Sequence, residues 1–415
     1  MADPIVLYIF HRDLRLADNL TLEAAVAKAR ALGCRLTPVF IFTEVQVTAK
    51  NKYKSSNSIQ FMIESLADLA TATKGHLNFW MGKDQASTIK SELSAAQLAK
   101  THIFETADYT PFARARQEAT KALVPEGQYN LVHDTYLTEP GTVLNGSGKM
   151  YQKFTPFWES AKRQRVADPK PQPRAIPWAK RRTDSLYLNQ IAPRIGSEPN
   201  PEIHVHGGRT RGLELLGRIP RNYEDVHDIP AERTTDLSAH HHYGTVSIRE
   251  TFKAANGQPA LQRQLYWRDF YGHITAAFED LYGLSPYDFQ SGTSEPGWKY
   301  DRAAFNKWAR GDTGVPIVDA AMQQLIRTGY MHNRARLIVS NYLVKDQKIY
   351  WRWGERFFAQ HLVDYDFAQN FGNWAWVASV FPWSQAPFRS LKAERQAERF
   401  DPDGEYVRHW LGDED

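Results

Sequence analysis

Ile5-Val6-Leu7-Tyr8-Ile9-Phe10-His11-Arg12-Asp13-Leu14-Arg15 opens the chain with a short apolar run that ends in a cluster of charges. A run of that length, rich in β-branched and aromatic residues, predicts a buried strand. The pattern recurs at Leu36 to Phe42, Leu77 to Met81, His102 to Phe104 and Asn130 to His133. Between these runs, Leu20 to Leu32, Ser58 to Thr71, Gln85 to Leu93 and Phe112 to Leu123 carry apolar residues at helical spacing. Strand and helix in alternation predict a five-stranded parallel, Rossmann-like sheet covered on both faces, an α/β domain over residues 1–135. A dinucleotide-binding sheet follows its first strand with a glycine-rich phosphate loop. His11-Arg12-Asp13-Leu14-Arg15 stands there instead, so a standard dinucleotide site is not expected in this domain.

Beyond the sheet the pattern breaks. Seven prolines between Pro169 and Pro201 oppose sustained helix or central strand, which marks a long connection, taken as residues 136–218. From residue 219 to 415 the spacing is helical: Val246 to Ala255, Leu261 to Tyr282, Ala303 to Ala309, Ile317 to Thr328, Asn333 to Lys345 and Trp351 to Leu362. An all-α domain docked beside the sheet domain is the expectation.

With 415 residues, 42% hydrophobic and 24% charged, the chain is long enough for more than one core. No stretch approaches the roughly 20 consecutive apolar residues of a membrane span, and Met1 to Phe10 lacks a basic start and a cleavage site. A soluble intracellular protein is expected, in cytoplasm or nucleus. The one cysteine, Cys34, excludes internal disulfides, thiolate zinc sites and iron–sulfur clusters, so redox chemistry would run on a bound cofactor or on aromatic side chains. Lys153 to Arg182 holds nine basic and two acidic residues, a field that suits phosphates, though charge runs also serve as plain solvated surface. Nine of the twelve tryptophans lie after residue 260, which concentrates these large side chains in the helical domain.

Within that domain, two segments set charges in apolar company: Tyr330-Met331-His332-Asn333-Arg334-Ala335-Arg336-Leu337 and Asp364-Tyr365-Asp366-Phe367-Ala368-Gln369-Asn370-Phe371-Gly372-Asn373-Trp374-Ala375-Trp376. A lone buried charge is expensive, so Arg336 and Asp364 are expected to pair, as a core salt bridge or as part of a site.

These segments resemble the photolyase and cryptochrome family, and the likeness extends across nearly the whole chain. His11 to Arg15 after the first strand looks like the family's opening. Met150-Tyr151-Gln152-Lys153-Phe154-Thr155-Pro156-Phe157 resembles the start of its interdomain connection. Thr234-Thr235-Asp236-Leu237-Ser238 with Gly244-Thr245-Val246-Ser247 resembles the loop that holds the FAD phosphates, and Leu265-Tyr266-Trp267-Arg268-Asp269-Phe270 resembles the helix lining a lesion pocket.

The resemblance, nearest to class I-type enzymes for cyclobutane pyrimidine dimers, implies FAD in the helical domain. Its phosphates would be held by the loop of Thr234, Thr235, Asp236, Leu237 and Ser238, with Tyr223 a further contact. Arg336 and Asp364 match the pair at the isoalloxazine, Asp366 a carboxylate near its polar edge, and Asn370 the amide facing flavin N5. Trp374, Trp351 and Trp298 match a row of indoles that returns electrons to photoexcited oxidised flavin. Trp267 and Trp376 match the walls on which a flipped-out dimer stacks, and Asn333 the amide beside it. Arg334, Arg389, Arg268 and Lys153 are candidate contacts to the dimer or its phosphates. The implied partner is UV-damaged DNA, bound by a monomer, and the implied reaction is light-driven electron transfer from reduced FAD to the dimer. Asp108-Tyr109-Thr110-Pro111-Phe112-Ala113-Arg114 resembles a region that contacts a second, antenna chromophore, with folate, deazaflavin and flavin all open.

The chain departs from this pattern at several positions. Gln264 stands where repair enzymes for cyclobutane dimers commonly carry glutamate; an amide keeps the hydrogen bonds and lacks the ionisable proton. Leu337 replaces a common methionine, and residues 381–392 deviate from the usual run after the tryptophan pair. Gln264 favours a light-sensing cryptochrome, which the short stretch after Trp410 opposes. Asn333-Arg334 opposes repair of (6-4) photoproducts, whose enzymes carry a histidine-based motif there. His204, His206 and His240-His241-His242 invite a metal, but with no cysteine or carboxylate at fixed spacing none is expected.

Overall fold

The computed structural model describes residues 3–196, 198–278, 297–381, 384–386 and 389–412. Strands β1 (Ile5–Ile9), β2 (Leu36–Thr43), β3 (Asn78–Gly82), β4 (Thr101–Thr106) and β5 (Tyr129–Val132) form one parallel sheet in the order β3-β2-β1-β4-β5. In the centre, Leu7 of β1 pairs with Thr37 on one side and Ile103 on the other. Both faces of β1 are buried, Tyr8 in one core and Leu7 with Ile9 in the other. An unbroken apolar run rather than an alternation therefore marks this strand. The four expected helices lie at Leu20–Ala31, Ser56–Ala72, Gln85–Glu92 and Pro111–Lys121. Each starts on a side-chain cap, from Asn19, Ser55, Asp84 and Thr110 respectively.

The order of strands reverses at β1 and β4, the place where doubly wound sheets take ligands. Here the loop after β1 fills that place from within. The Asp13 carboxylate accepts the His11 backbone N–H (2.8 Å), the Thr106 hydroxyl (2.7 Å) and the Tyr8 hydroxyl. Donors that a glycine-rich loop would offer to a phosphate are met by a carboxylate of the chain itself.

Residues 136–218 are more than a connection. Helices Phe154–Ala161, Leu188–Ile195 and Arg209–Leu216 interrupt them, and the second contains Pro193, against the expectation that prolines keep helix out. Ile191, Ile195, Ile203 and Val205 join the core of the sheet domain, while Phe154 and Phe157 join that of the helical domain. Around the latter core stand helices Pro259–Ala277, Pro316–Thr328, Asn333–Asn341, Trp351–His361 and Phe367–Ala378. The expected helix from Leu261 reaches Ala277, and Tyr282 lies outside the described residues. The run from Asn333 widens at Tyr342–Asp346 into a π turn. Helices outside the expected set, among them Phe367–Ala378, Ala393–Phe400 and Glu405–Leu411, complete the domain. Among the described residues, no helix is long and apolar enough to cross a membrane.

The charges that end β1 join the two domains. Arg12 donates Nε–H to the His242 carbonyl (3.1 Å) and pairs with Asp366. The Leu14 N–H donates to the Tyr243 carbonyl (3.0 Å), and Arg15 donates to the Gly244 carbonyl (3.0 Å) and pairs with Asp134. Gly244 has φ 65°, and a Cβ there would collide with the Arg12 backbone, so this approach requires glycine.

Candidate active site

A cavity of about 540 Å³ lies inside the helical domain. Three helices and several loops meet on it, and in the helices a spacing of three or four residues brings side chains to one face. Asp366, Asn370 and Trp374, four apart, bring the Phe367–Ala378 helix to it, with Trp376 beside them. Asn333 and Leu337, with Arg334 and Arg336, do the same for Asn333–Asn341; Gln264, Trp267 and Arg268 do so for Pro259–Ala277. Tyr223, Thr234, Thr235, Ser238 and Asp364 line it from loops and short turns.

Asn370 is oriented by an acid that the sequence reading missed. Its Nδ2 donates both to the backbone carbonyl of Glu355 (3.0 Å) and to the Glu355 carboxyl (3.0 Å). A backbone carbonyl only accepts, so the nitrogen of the amide faces Glu355 and Oδ1 is left for the cavity. Glu355 is 2% exposed, and burial pushes its carboxyl up to about 7 against the Asn370 hydrogen bond and the charges of Arg352 and Arg356.

The Arg336 guanidinium holds Asp364 through two contacts (2.8 and 3.1 Å) and donates Nε–H to the Met331 carbonyl (2.7 Å). Asp366 is claimed by Arg12 from the sheet domain, with His242 Nδ1 at 3.4 Å. Burial alone would raise Asp366, but Arg12, His242 and Arg268 hold it far below the usual carboxylate range. On the same lining, His332 is 3% exposed and its Nε2 has no partner among the described residues; burial, then Arg336, pushes its pKa down to about 4.

Trp267 stacks on Phe154 at 3.6 Å between centroids and 8° between planes, with Trp158 behind Phe154 at 6.4 Å and 7°. One indole face is thus backed by the helix that begins at Phe154. The Arg389 guanidinium lies 5.9 Å from the Trp376 ring, and Lys153 Nζ donates to the Ser384 carbonyl (3.2 Å). Arg334 pairs with Asp228 (2.6 Å) and lies 4.1 Å over Phe400. Arg268 lines the cavity and also donates to the carbonyls of Thr135 (2.6 Å) and His241 (3.1 Å), with its guanidinium over Tyr136, so it reaches the domain junction as well.

The three tryptophans differ in exposure. Trp374 lines the cavity and is 3% exposed, Trp351 is fully buried, and Trp298 is half-buried. Gly354, one turn after Trp351, receives the Trp374 ring so closely that a Cβ would collide with it. The first two indoles are therefore held against the same helix.

A family model for the FAD binding domain of DNA photolyase matches residues 261–413, and a DNA photolyase model matches residues 6–174. The deoxyribodipyrimidine photo-lyase of Synechococcus sp. is 33% identical over 99% of this chain and 88% of its own. That of Neurospora crassa is 31% identical over 98% and 72%. The chain belongs to the DNA photolyase family. Its structure is similar to that of the archaeal photolyase from Sulfolobus tokodaii solved with two FAD molecules, with a TM-score of 0.85 and 32% identity over 98% of this chain and 90% of that one.

The residues present fit the FAD of a photolyase. Hydroxyls of Thr234, Thr235 and Ser238, the unpartnered His332 Nε2, the Arg336–Asp364 pair and Asn370 Oδ1 supply donors and acceptors around one apolar-walled space. Two residues expected to bind the cofactor do not line it. The Asp236 carboxylate is bonded to His204 (3.0 Å) and Arg233 (2.5 Å), and Leu237 is fully buried, so their side chains are engaged away from the cavity while their backbone forms part of the loop. Asp236 itself takes φ 52°. The histidines have other occupations: His240 bonds Thr245 (2.7 Å), His241 bonds Thr251 (2.8 Å), His206 meets Glu64 (3.1 Å), and His204 also stacks on Tyr330 at 4.0 Å. Besides Glu355, the sequence reading passed over Arg12, Phe154, Asp228 and Gly354. The partners of Arg12, Phe154 and Asp228 lie far along the chain; Arg12 and Phe154 stood inside quoted motifs, while Asp228 and Gly354 gave no signal.

Proposed function

We propose that this protein repairs cyclobutane pyrimidine dimers in UV-damaged DNA under light, acting as a monomer. The observation that carries the reading is one shared cavity. Thr234, Thr235, Ser238, Arg336 and Asn370, suited to FAD, line the same space as Trp267 and Trp376, suited to a splayed dimer. FAD held by these residues would supply light-driven electron donation without net redox change. The threonine and serine hydroxyls donate to its phosphates, and Asn370, held by Glu355, offers a carbonyl oxygen to a protonated ring nitrogen. A dimer stacks badly in duplex DNA, so extruding it onto the two indoles costs less than extruding normal bases. Arg389 and Lys153 meet the surrounding phosphates, and Arg334 joins them by exchanging Asp228 for a phosphate. Trp374, Trp351 and Trp298 would offer oxidisable indoles to an oxidised flavin held in the cavity.

Illuminating the reduced protein with a dimer-containing oligonucleotide and counting restored thymines tests this; undiminished dimer overturns it. A light-sensing role is the second reading, favoured by Gln264, which gives the cavity no ionisable proton at that position. It becomes the better one if light alters the flavin for long periods and removes no dimer. An antenna of folate, deazaflavin or flavin type belongs to the proposal as well, in keeping with the second FAD of the Sulfolobus tokodaii photolyase. The absorbance spectrum of the purified protein identifies it.

A further inference from the structure

Arg334, on the helix Asn333–Asn341, is joined to Asp228, which follows the short helix Tyr223–Val226, and both residues line the cavity. The guanidinium lies 4.1 Å over the Phe400 ring, and its Nη1 meets Gln396 Oε1 at 3.4 Å. Its Nη2 meets Asp228 Oδ1 at 2.6 Å, whereas its Nε is buried and has no partner among the described residues. In a guanidinium, Nε–H and one Nη2–H point the same way and form an edge that fits two oxygens of one phosphate. Asp228 answers that edge at one nitrogen and leaves the other idle. We propose that Asp228 is a built-in rival for the phosphate that Arg334 takes from damaged DNA, and that its return to Arg334 hastens release of the strand. This rests on the reading of the cavity as the site of a splayed dimer.

The charges around the cavity single out this pair. Among the described residues no carboxylate pairs with Arg389 or Lys153, so of these three cations Arg334 alone is neutralised by the chain itself. The Asp228 side chain is 34% exposed and that of Arg334 16%, so the carboxylate can swing into water while the guanidinium stays on Phe400. A phosphate that accepts from both Nε and Nη2 satisfies the buried donor that Asp228 leaves unmet, which favours the exchange once other contacts hold the DNA. The exchange still costs the ion pair, so DNA binds less tightly than a free Arg334 would allow. A strand whose bases have restacked no longer presses its phosphate on that edge, and Asp228 recovers Arg334.

The sign of one substitution tests this. Asp228→Asn should tighten binding of a dimer-containing duplex in the dark by about fivefold, through slower dissociation, as read by fluorescence anisotropy. Asp228→Ser, neutral and smaller, should do the same, and Asp228→Glu, which keeps the charge, should stay near the unaltered protein. The fall of log affinity with log salt should steepen by about one unit in the neutral variants, because one more cation is free to displace counterions. In a protein that already carries Arg334→Ala, Asp228→Asn should change neither quantity. Flavin absorbance confirms that each variant is folded. Weaker binding by the neutral variants makes Asp228 a supporting residue, and tightening that persists without Arg334 reduces it to plain repulsion of DNA; either result overturns the proposal. If the unaltered protein does not prefer dimer-containing duplex to undamaged duplex, the lesion site itself fails and the rivalry with it.

Discussion

Glu355 and Asn370 show how one buried contact fixes the direction of an amide. The carboxyl of Glu355 is raised to about 7, above the roughly 4.3 of a free glutamate, so between those values the folded protein holds a proton that the unfolded chain releases. Its contribution to stability is therefore complete at low pH and is lost as pH rises toward 7, by up to about 3 kcal/mol. Glu355→Gln keeps an acceptor for Asn370 and should remove that slope, as measured by urea unfolding of both proteins at roughly pH 5 and pH 8. Asp269, also raised to about 7 by burial, titrates in both and cancels in the comparison. An identical slope in the two proteins would assign the titration elsewhere. Arg334→Ala, at the rim, should weaken binding of dimer-containing DNA while FAD stays bound, which a gel shift and an absorbance spectrum read separately.

At the scale of elements, the helix Trp351–His361 does two jobs: it carries Trp351 and, at Gly354, receives Trp374. Gly354→Ala should cost about 1–3 kcal/mol by overpacking and should alter the near-ultraviolet circular dichroism of the displaced indole. Trp374→Phe should block photoreduction of oxidised FAD while repair by reduced protein continues; equal loss of both would refute the assigned path. The elements that the sequence made legible are those whose period is unmixed, such as β1 or Pro316–Thr328. The helix Leu188–Ile195 was hidden because Pro193 sits inside it, and a loop motif such as Thr234 to Ser238 cannot say which side chains turn inward: the Asp236 carboxylate turns to His204. The cavity was legible to the extent that i, i+4 spacing exposed it, as with Asp366, Asn370 and Trp374.

Across the whole molecule, the junction between domains rests on pairs that no local pattern reveals: Arg12 and Asp366 are 354 residues apart. Arg12→Ala would leave Asp366 buried beside weaker partners, at a cost of about 3–5 kcal/mol. Because Arg12 holds Asp366 down, the pair stabilises the protein above the ordinary carboxylate range and its contribution fades on acidification. Thermal unfolding should therefore show a lower midpoint for the variant at neutral pH and a smaller difference in acid, with FAD released at lower temperature. The loop that supplies Arg12 also supplies Asp13, lodged at the sheet's strand-order reversal. A tethered anion never diffuses away, so any free phosphate would have to evict an occupant present at enormous effective concentration. Evolution of a nucleotide pocket at that point would have to begin by removing Asp13, and the first step would unsettle Tyr8, Thr106 and the domain docking together.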